Sequence, residues 1–271
     1  MAEIQFVGGW VKDKKDKRDF PATRLLVREV SLPESFIVNP NTIIYNQGGD
    51  PSCVGFSAAG VKTDEEYTQY GKQIKFDGLR LYNECKKIDG IPNLPGTYPR
   101  VACKILNQVG CWVVPTSTTC PIRFLKPKPP EPTPEDIAKW KIAAYYRIDY
   151  KSTLDFVKQI ICQFGSILTA STWFKNWMDK FWVFPEPAGG TEGGHSFKSA
   201  GWDSDSVSHK SISFSAKSTI ILKHDNAAIV IVNSWGQIPW GVNGVSLMPY
   251  QMFLDRVLAE GDCWKLCDSK G

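Results

Sequence analysis

No apolar run in this chain approaches the roughly 20 residues that a membrane-spanning helix requires, so no membrane partner is expected. Residues 1–20 hold a lysine-rich stretch where an export signal would place an apolar segment, and no export address is expected in the chain as given. Concentrated charge of one sign is missing too. The net charge of +4 is spread along the sequence, and its one dense basic run, residues 12–18, alternates with Asp13, Asp16 and Asp19. Without a basic stripe interleaved with stacking aromatics, no nucleic-acid partner is expected. Eight cysteines in 271 residues are few for a disulfide framework, and Cys103 and Cys162 fall inside apolar-periodic stretches where a thiol acts as a small hydrophobe. A reducing compartment follows. What the chain does have, 42% hydrophobic and 12% aromatic residues, suffices for a substantial core in one large or two small domains.

Cys53 lies where a turn, Asn46-Gln47-Gly48-Gly49-Asp50-Pro51-Ser52, runs into an apolar, helix-forming segment. A thiol at a helix N-terminus faces the positive end of the macrodipole and unpaired N–H groups, which stabilise a thiolate. Gln47, six residues upstream, can set its amide beside the Cys53 N–H and supply a second donor to an oxyanion. Of the three histidines, His209 lies in a polar stretch and His224 in a turn, whereas His195 heads a strand behind Gly193-Gly194. Asn233-Ser234-Trp235-Gly236 follows, and then Trp240-Gly241-Val242-Asn243-Gly244. Taken singly, Cys53 could be a buried structural thiol, His195 a structural histidine and Asn233 a strand end.

Together, in the order Cys, His, Asn, these segments resemble the papain-like cysteine peptidases, over about residues 32–264. The resemblance implies an α+β, two-lobed fold: a mainly helical lobe carries the nucleophile helix, a β-barrel-like lobe carries His195 and Asn233, and the active site lies in the cleft between them. It further implies that Cys53 attacks a peptide carbonyl as the thiolate of an ion pair with His195, that Asn233 orients the imidazole, that Trp235 shields that bond, and that Gln47 serves the oxyanion. Gly96 and Thr97 match the family's substrate loop, and with Gly194 and Trp235 they are the candidate substrate-binding residues. The partner is then a peptide or protein substrate, and no cofactor is called for. Cys263 and Cys267 form a lone C-x3-C pair, too little to predict a metal. A Cys-His amidase or transpeptidase acting on cell-wall peptides, and a binding module that has lost turnover, are the alternatives.

The Leu81-Tyr82, Cys85-Lys86-Lys87, Asp89-Gly90 and Gly96-Thr97-Tyr98 pattern looks more like bacterial and phage members than lysosomal or plant ones. Localisation would be cytoplasmic, or released or virion-associated for a phage or viral protein. Val54 and Gly55 replace the Trp and Ala that commonly follow the nucleophile, and Asp50 replaces a disulfide cysteine of many secreted members. The 37 residues between His195 and Asn233, rich in serine, predict an extended hairpin near the cleft.

Residues 1–29, too short and charged for a domain, predict an arm strapped over the outside of the strand-rich lobe, with an inhibitory cover as the alternative. The peptidase domain would span 30–271, its helical lobe about 40–125 plus a returning 259–271, its strand-rich lobe about 30–39 and 136–258. Helices are expected from Cys53 to about Tyr70, over 78–87, over 98–109 with Gly110 as cap, and through Gln163 behind a Ser152/Asp155 capping box; the last starts at Pro249. Strands are expected at 30–38, 166–171, 195–201, 218–223, 227–233 and 244–248, and the proline-rich 126–135 reads as an extended connector between lobes.

Overall fold

Helix α1, Cys53–Tyr70, begins at the turn anticipated for it and ends at Gly71, whose φ of 64° makes the left-handed cap that glycine adopts without strain. The computed structural model describes residues 8–25, 30–114, 131–149, 151–178, 181–204, 210–215, 218–222, 227–237 and 240–268. His209, His224 and 126–130 of the predicted connector lie outside them. Beside α1 pack α2, Gly78–Lys86, and α3, Pro99–Gln108, around a core of Val54, Ala58, Leu81, Ala102 and Leu106.

One broad apolar face was expected of α1; it is instead buried on every side from Cys53 to Glu66, apart from a half-buried Phe56. Three consecutive acids make this possible. Asp64 pairs with Lys198 at 2.7 Å, Glu65 with Lys265, and Glu66 with Lys62 at 2.5 Å, the last lysine also reaching Asp268 at 2.6 Å. Buried charges are tolerated only when paired in this way.

The sheet runs in the order β2 (Ala144–Arg147), β9 (Asp262–Cys267), β3 (Ile167–Phe174), β4 (Thr191–Asp203), β7 (Ala228–Val232), β8 (Val245–Pro249), with β1 (Ser35–Ile37) also on β4. All pairings are antiparallel. Strand alternation divides the core: Trp264 and Leu266 of β9 face the α1 cluster, while Cys263 and Cys267 face a second, aromatic-rich cluster with Trp173, Trp177, Trp202 and Trp240. Against that cluster lies α5, Leu154–Phe164, and Tyr250–Met252 (α6) continues as a π-helical segment to Ala259. The neighbouring strands β3 and β9 thus serve both cores.

Two expectations need correction. A capping box at Ser152 and Asp155 does not form; Thr153 is the cap, its hydroxyl accepting from Phe156 N. The end of the supposed connector is a short helix, α4, Pro134–Ala138, where Thr133 and Asp136 form the box and proline occupies the one turn that does not need its N–H. Strands β2 and β9 carried no signal that was read, because buried lysine and tryptophan in Asp262–Cys267 mask its period. The insertion after His195 does form a hairpin, β5 (Lys210–Ser215) with β6 (Ser218–Leu222), as a separate two-stranded sheet. Among the described residues no helix is long and apolar enough to cross a membrane.

The arm divides in two. Its second half is the anticipated strap: Ala22 and Leu25 are buried in the aromatic-rich cluster, and the Phe20 carbonyl accepts from Arg147 N at 2.8 Å. Its first half goes elsewhere.

Replacing Lys265 by methionine should strand the Glu65 carboxylate in the core and cost about 3–5 kcal/mol in urea unfolding. Adding Glu65→Gln should recover much of that loss, which an independent effect of Lys265 on packing would not allow.

Candidate active site

Cys53 is the first residue of α1, and its Sγ accepts from the backbone N–H of Ser196 on β4 at 3.4 Å. That contact sets the nucleophile candidate directly beside His195. His195 Nε2 lies 2.7 Å from Asn233 Oδ1, and the same oxygen accepts from Ser234 N at 2.7 Å. Since Oδ1 is an acceptor only, Nε2 is the protonated ring nitrogen and Nδ1 carries the lone pair. The ring is held between two indoles: Trp235 at 4.7 Å and 33°, Trp173 at 4.7 Å and 74°. Trp235, only 5% exposed, therefore lies on the imidazole inside the aromatic cluster.

Gln47 is fixed in the turn before α1. Its Nε2 donates to Asp50 O at 2.8 Å, its Oε1 accepts from Ser234 Oγ at 2.6 Å, and its backbone N–H donates to Ser234 O. The turn that leads into Cys53 and the segment that carries Asn233 are thereby tied to one another.

The cover held as the alternative for the arm is what lies over this site. Residues 8–13 run directly across it, contrary to the external strap expected for the whole arm. Gly9 N and Trp10 N both donate to Gly194 O, at 3.0 and 3.2 Å; Thr97 N donates to Gly9 O at 3.1 Å and Val11 N to Thr97 O at 3.0 Å. The pairing with Thr97 is parallel. Gly96, Thr97 and Gly194, the residues expected to hold a substrate main chain, hold the arm. Their loop is itself braced, since Lys86 Nζ donates to the carbonyls of Ile91, Leu94 and Gly96 and pairs with Asp89.

Only glycine can occupy position 9. A Cβ there would stand 2.5 Å from Pro51 O and 2.8 Å from Cys53 Sγ. The Gly9 main chain thus lies against the sulfur, with no room between them for a side chain. Trp10 covers Gly194, where an added Cβ would meet the indole at 2.5 Å, and its Nε1 donates to Asp262 Oδ2 at 2.8 Å. Asp13, buried, accepts from Trp264 Nε1 at 2.9 Å and from Arg100 N at 3.1 Å, and donates its own N–H to Asp262 at 2.8 Å. Arg147 binds Asp262 at 2.6 Å and stands 3.6 Å from Asp13. Burial and the Asp262 carboxylate raise the Asp13 carboxyl to about 7.

Covered in this way, Cys53 and His195 are both fully buried. Loss of water pushes the thiol up to about 12, outweighing the N–H groups of Ser196 and Val54, and pushes the imidazole down to about 4 although the Asn233 bond opposes it. The pair is neutral while the arm is seated. Trp173, Lys86 and Asp262 were missed as parts of the site, whereas Trp10 is the anchor that a covering arm offered in the sequence. Among the described residues no cluster suits a metal ion.

No protein-family model and no functionally curated protein matches the sequence. Solved structures do. Xylellain, a cysteine protease from Xylella fastidiosa, superposes with a TM-score of 0.72 at 20% identity over 100% of this chain and 99% of its own. Procathepsin B S9 from Trypanosoma congolense gives 0.67 at 18% identity over 98% and 87%, and procathepsin L 3 of the Tenebrio molitor larval midgut 0.66 at 14% over 94% and 76%. The chain has the fold of the papain-like cysteine proteases.

Proposed function

We propose that the protein is a cysteine endopeptidase held latent by its own arm. The observation that carries this reading is the bonded His195–Asn233 pair beside a cysteine that opens a buried helix. With Nε2–H committed to Asn233, the Nδ1 lone pair is the group that takes the thiol proton once water reaches the cleft. The thiolate then attacks the peptide carbonyl, the imidazolium protonates the leaving amine, and water hydrolyses the thioacyl intermediate. The Cys53 N–H and the Gln47 amide are the oxyanion donors, and Thr97 and Gly194 pair with the substrate main chain as they do with the arm. The fold shared with two structures named as proenzymes supports latency. So does the arm's approach to the sulfur at Gly9, which leaves no room there for a substrate.

Gly9→Leu should unseat residues 8–13 and raise both peptide hydrolysis and epoxysuccinyl labelling of Cys53 above the intact protein. If Gly9→Leu stays as silent as wild type, while its helical circular dichroism is unchanged, latency by the arm is wrong. In the Gly9→Leu background, Cys53→Ser and His195→Ala should each lower hydrolysis by several orders of magnitude, Asn233→Ala less, and Gln47→Ala about a hundredfold in turnover. Its rate should follow a bell in pH, because thiolate and imidazolium must coexist.

The intact protein should show a second pH effect. Asp13 has a raised pKa when seated, so the seated arm holds a proton that a free arm releases at neutral pH. Seating is therefore fully favoured at acid pH and weakens as the pH rises through about 7. The ratio of wild-type to Gly9→Leu labelling should climb over that range, and Asp13→Asn should flatten it.

A further inference from the structure

Of the three acids buried in α1, Asp64 is the one paired with the strand that carries His195. The side chains of Lys198 and Asp64 are 3% and 0% exposed, and Lys198 Nζ also donates to Thr42 Oγ1 at 2.5 Å and to Gly60 O at 3.5 Å. Thr42 Oγ1 donates in turn to Asp64 Oδ1 at 3.0 Å. The ammonium is therefore held from several directions at a fixed height on the helix. Cys53, Ser57, Gly60 and Asp64 follow at i, i+4, i+7 and i+11, the spacing of a single helical face. Sulfur and carboxylate thus share that face, about three turns apart. Little apolar packing fixes the seam lengthwise. Gly60 has no side chain, a Cβ there would meet nothing nearer than Lys198 Cδ at 3.7 Å, and Ser57 turns its hydroxyl back to Cys53 O at 2.8 Å.

Lys198 also occupies a particular place in the sheet. It lies opposite Leu168 on β3 and opposite Val232 on β7, the residue before Asn233. Just past it, between Ser199 and Gly201, the register with β7 shifts, and such an irregularity re-aims a strand. Lys198 stands between that shift and both His195 and Asn233. A buried ion pair can often be exchanged for apolar residues without loss of stability, and fixing register is the best-attested use of one that is kept. We infer that Lys198 is a positioning residue: paired with Asp64, it sets the height of β4 along α1 and so aims the His195 imidazole at Cys53. The inference rests on the peptidase reading. Lys198 touches no reacting atom, and it acts on the rate through His195 alone.

The test replaces the pair by Lys198→Met with Asp64→Leu, in the intact chain and in Gly9→Leu. The melting temperature should stay close to the parent's, since apolar residues fill the space of the ions. In Gly9→Leu, kcat should nonetheless fall on the order of a hundredfold, the scale set by a misplaced catalytic group. In the intact chain the ring protons of His195, which lies between Trp173 and Trp235, should move in the nuclear magnetic resonance spectrum, with His195→Gln assigning them. The comparison is Lys265→Met with Glu65→Leu, a buried pair of the same helix that crosses to β9; it should leave both kcat and the His195 resonances at the parent's values. The inference is overturned if kcat or the resonances stay unchanged in the first pair, or if the β9 comparison moves them as far. Should the apolar pair not fold, Lys198→Gln with Asp64→Asn takes its place, its shorter side chain at 198 unable to span to residue 64 without a shift, and the same outcomes decide. Absence of hydrolysis by Gly9→Leu itself sinks the peptidase reading, while the resonances of the intact chain still decide whether Lys198 places the imidazole.

Discussion

The structure depends on a helix that meets water only in its last turn. Because α1 is buried on every side as far as Glu66, the sulfur of Cys53 is located by the whole of the core and not by one loop. That burial would be prohibitive with Asp64, Glu65 and Glu66 unpaired, and the lysines that neutralise them come from β4, β9 and α1 itself. Lys198 is three residues after His195 on β4, so the pairing that neutralises Asp64 also fixes the strand carrying the histidine against the helix carrying the cysteine. Cys53 and His195 are registered to one another through this ion pair and through the Ser196 contact with sulfur.

The legible part of this arrangement was local. A turn into an apolar segment gave α1 to the residue, and glycine and proline punctuation placed α2 and α3 within about a residue. Three short motifs in order named Cys53, His195 and Asn233, which the fold brings together. Non-local facts were not legible. Nothing in Asp64-Glu65-Glu66 says that three acids will be buried, since their partners lie up to 200 residues away. Strand β9 has buried residues on both faces, so the alternation that reveals a half-exposed strand is missing.

The arm was misread for a related reason. Charged segments of this length usually lie on the outside, as residues 20–25 do except for Ala22 and Leu25, which enter the core. Residues 8–13 are held instead by what they lack, a side chain at Gly9, and by a partner, Asp262, more than 240 residues further on. Gly9 and Gly194 remove Cβ atoms from both sides of the contact, letting two main chains approach over the sulfur where any other residue would be expelled. Specificity of the seat for this segment thus comes from excluded volume first and from Trp10 and Asp13 second.

Burial would make the proposed latency chemical as well as steric. A neutral thiol with a neutral imidazole, and a thiolate with an imidazolium, contain the same number of protons. Between the limits of about 4 and 12 set by the covered site, exchanging one form for the other neither takes up nor releases a proton. Linkage therefore gives the catalytic pair no pH slope of its own in seating the arm across the plateau of the bell, where the open pair also holds one proton. Any slope must come from a group whose proton count changes on seating, and Asp13 is the arm residue whose carboxyl shifts through neutrality. On the proposed reading, chemistry and latency accordingly respond to pH through different residues: the bell would belong to Cys53 and His195, and the strength of the lock to a carboxylate on the arm.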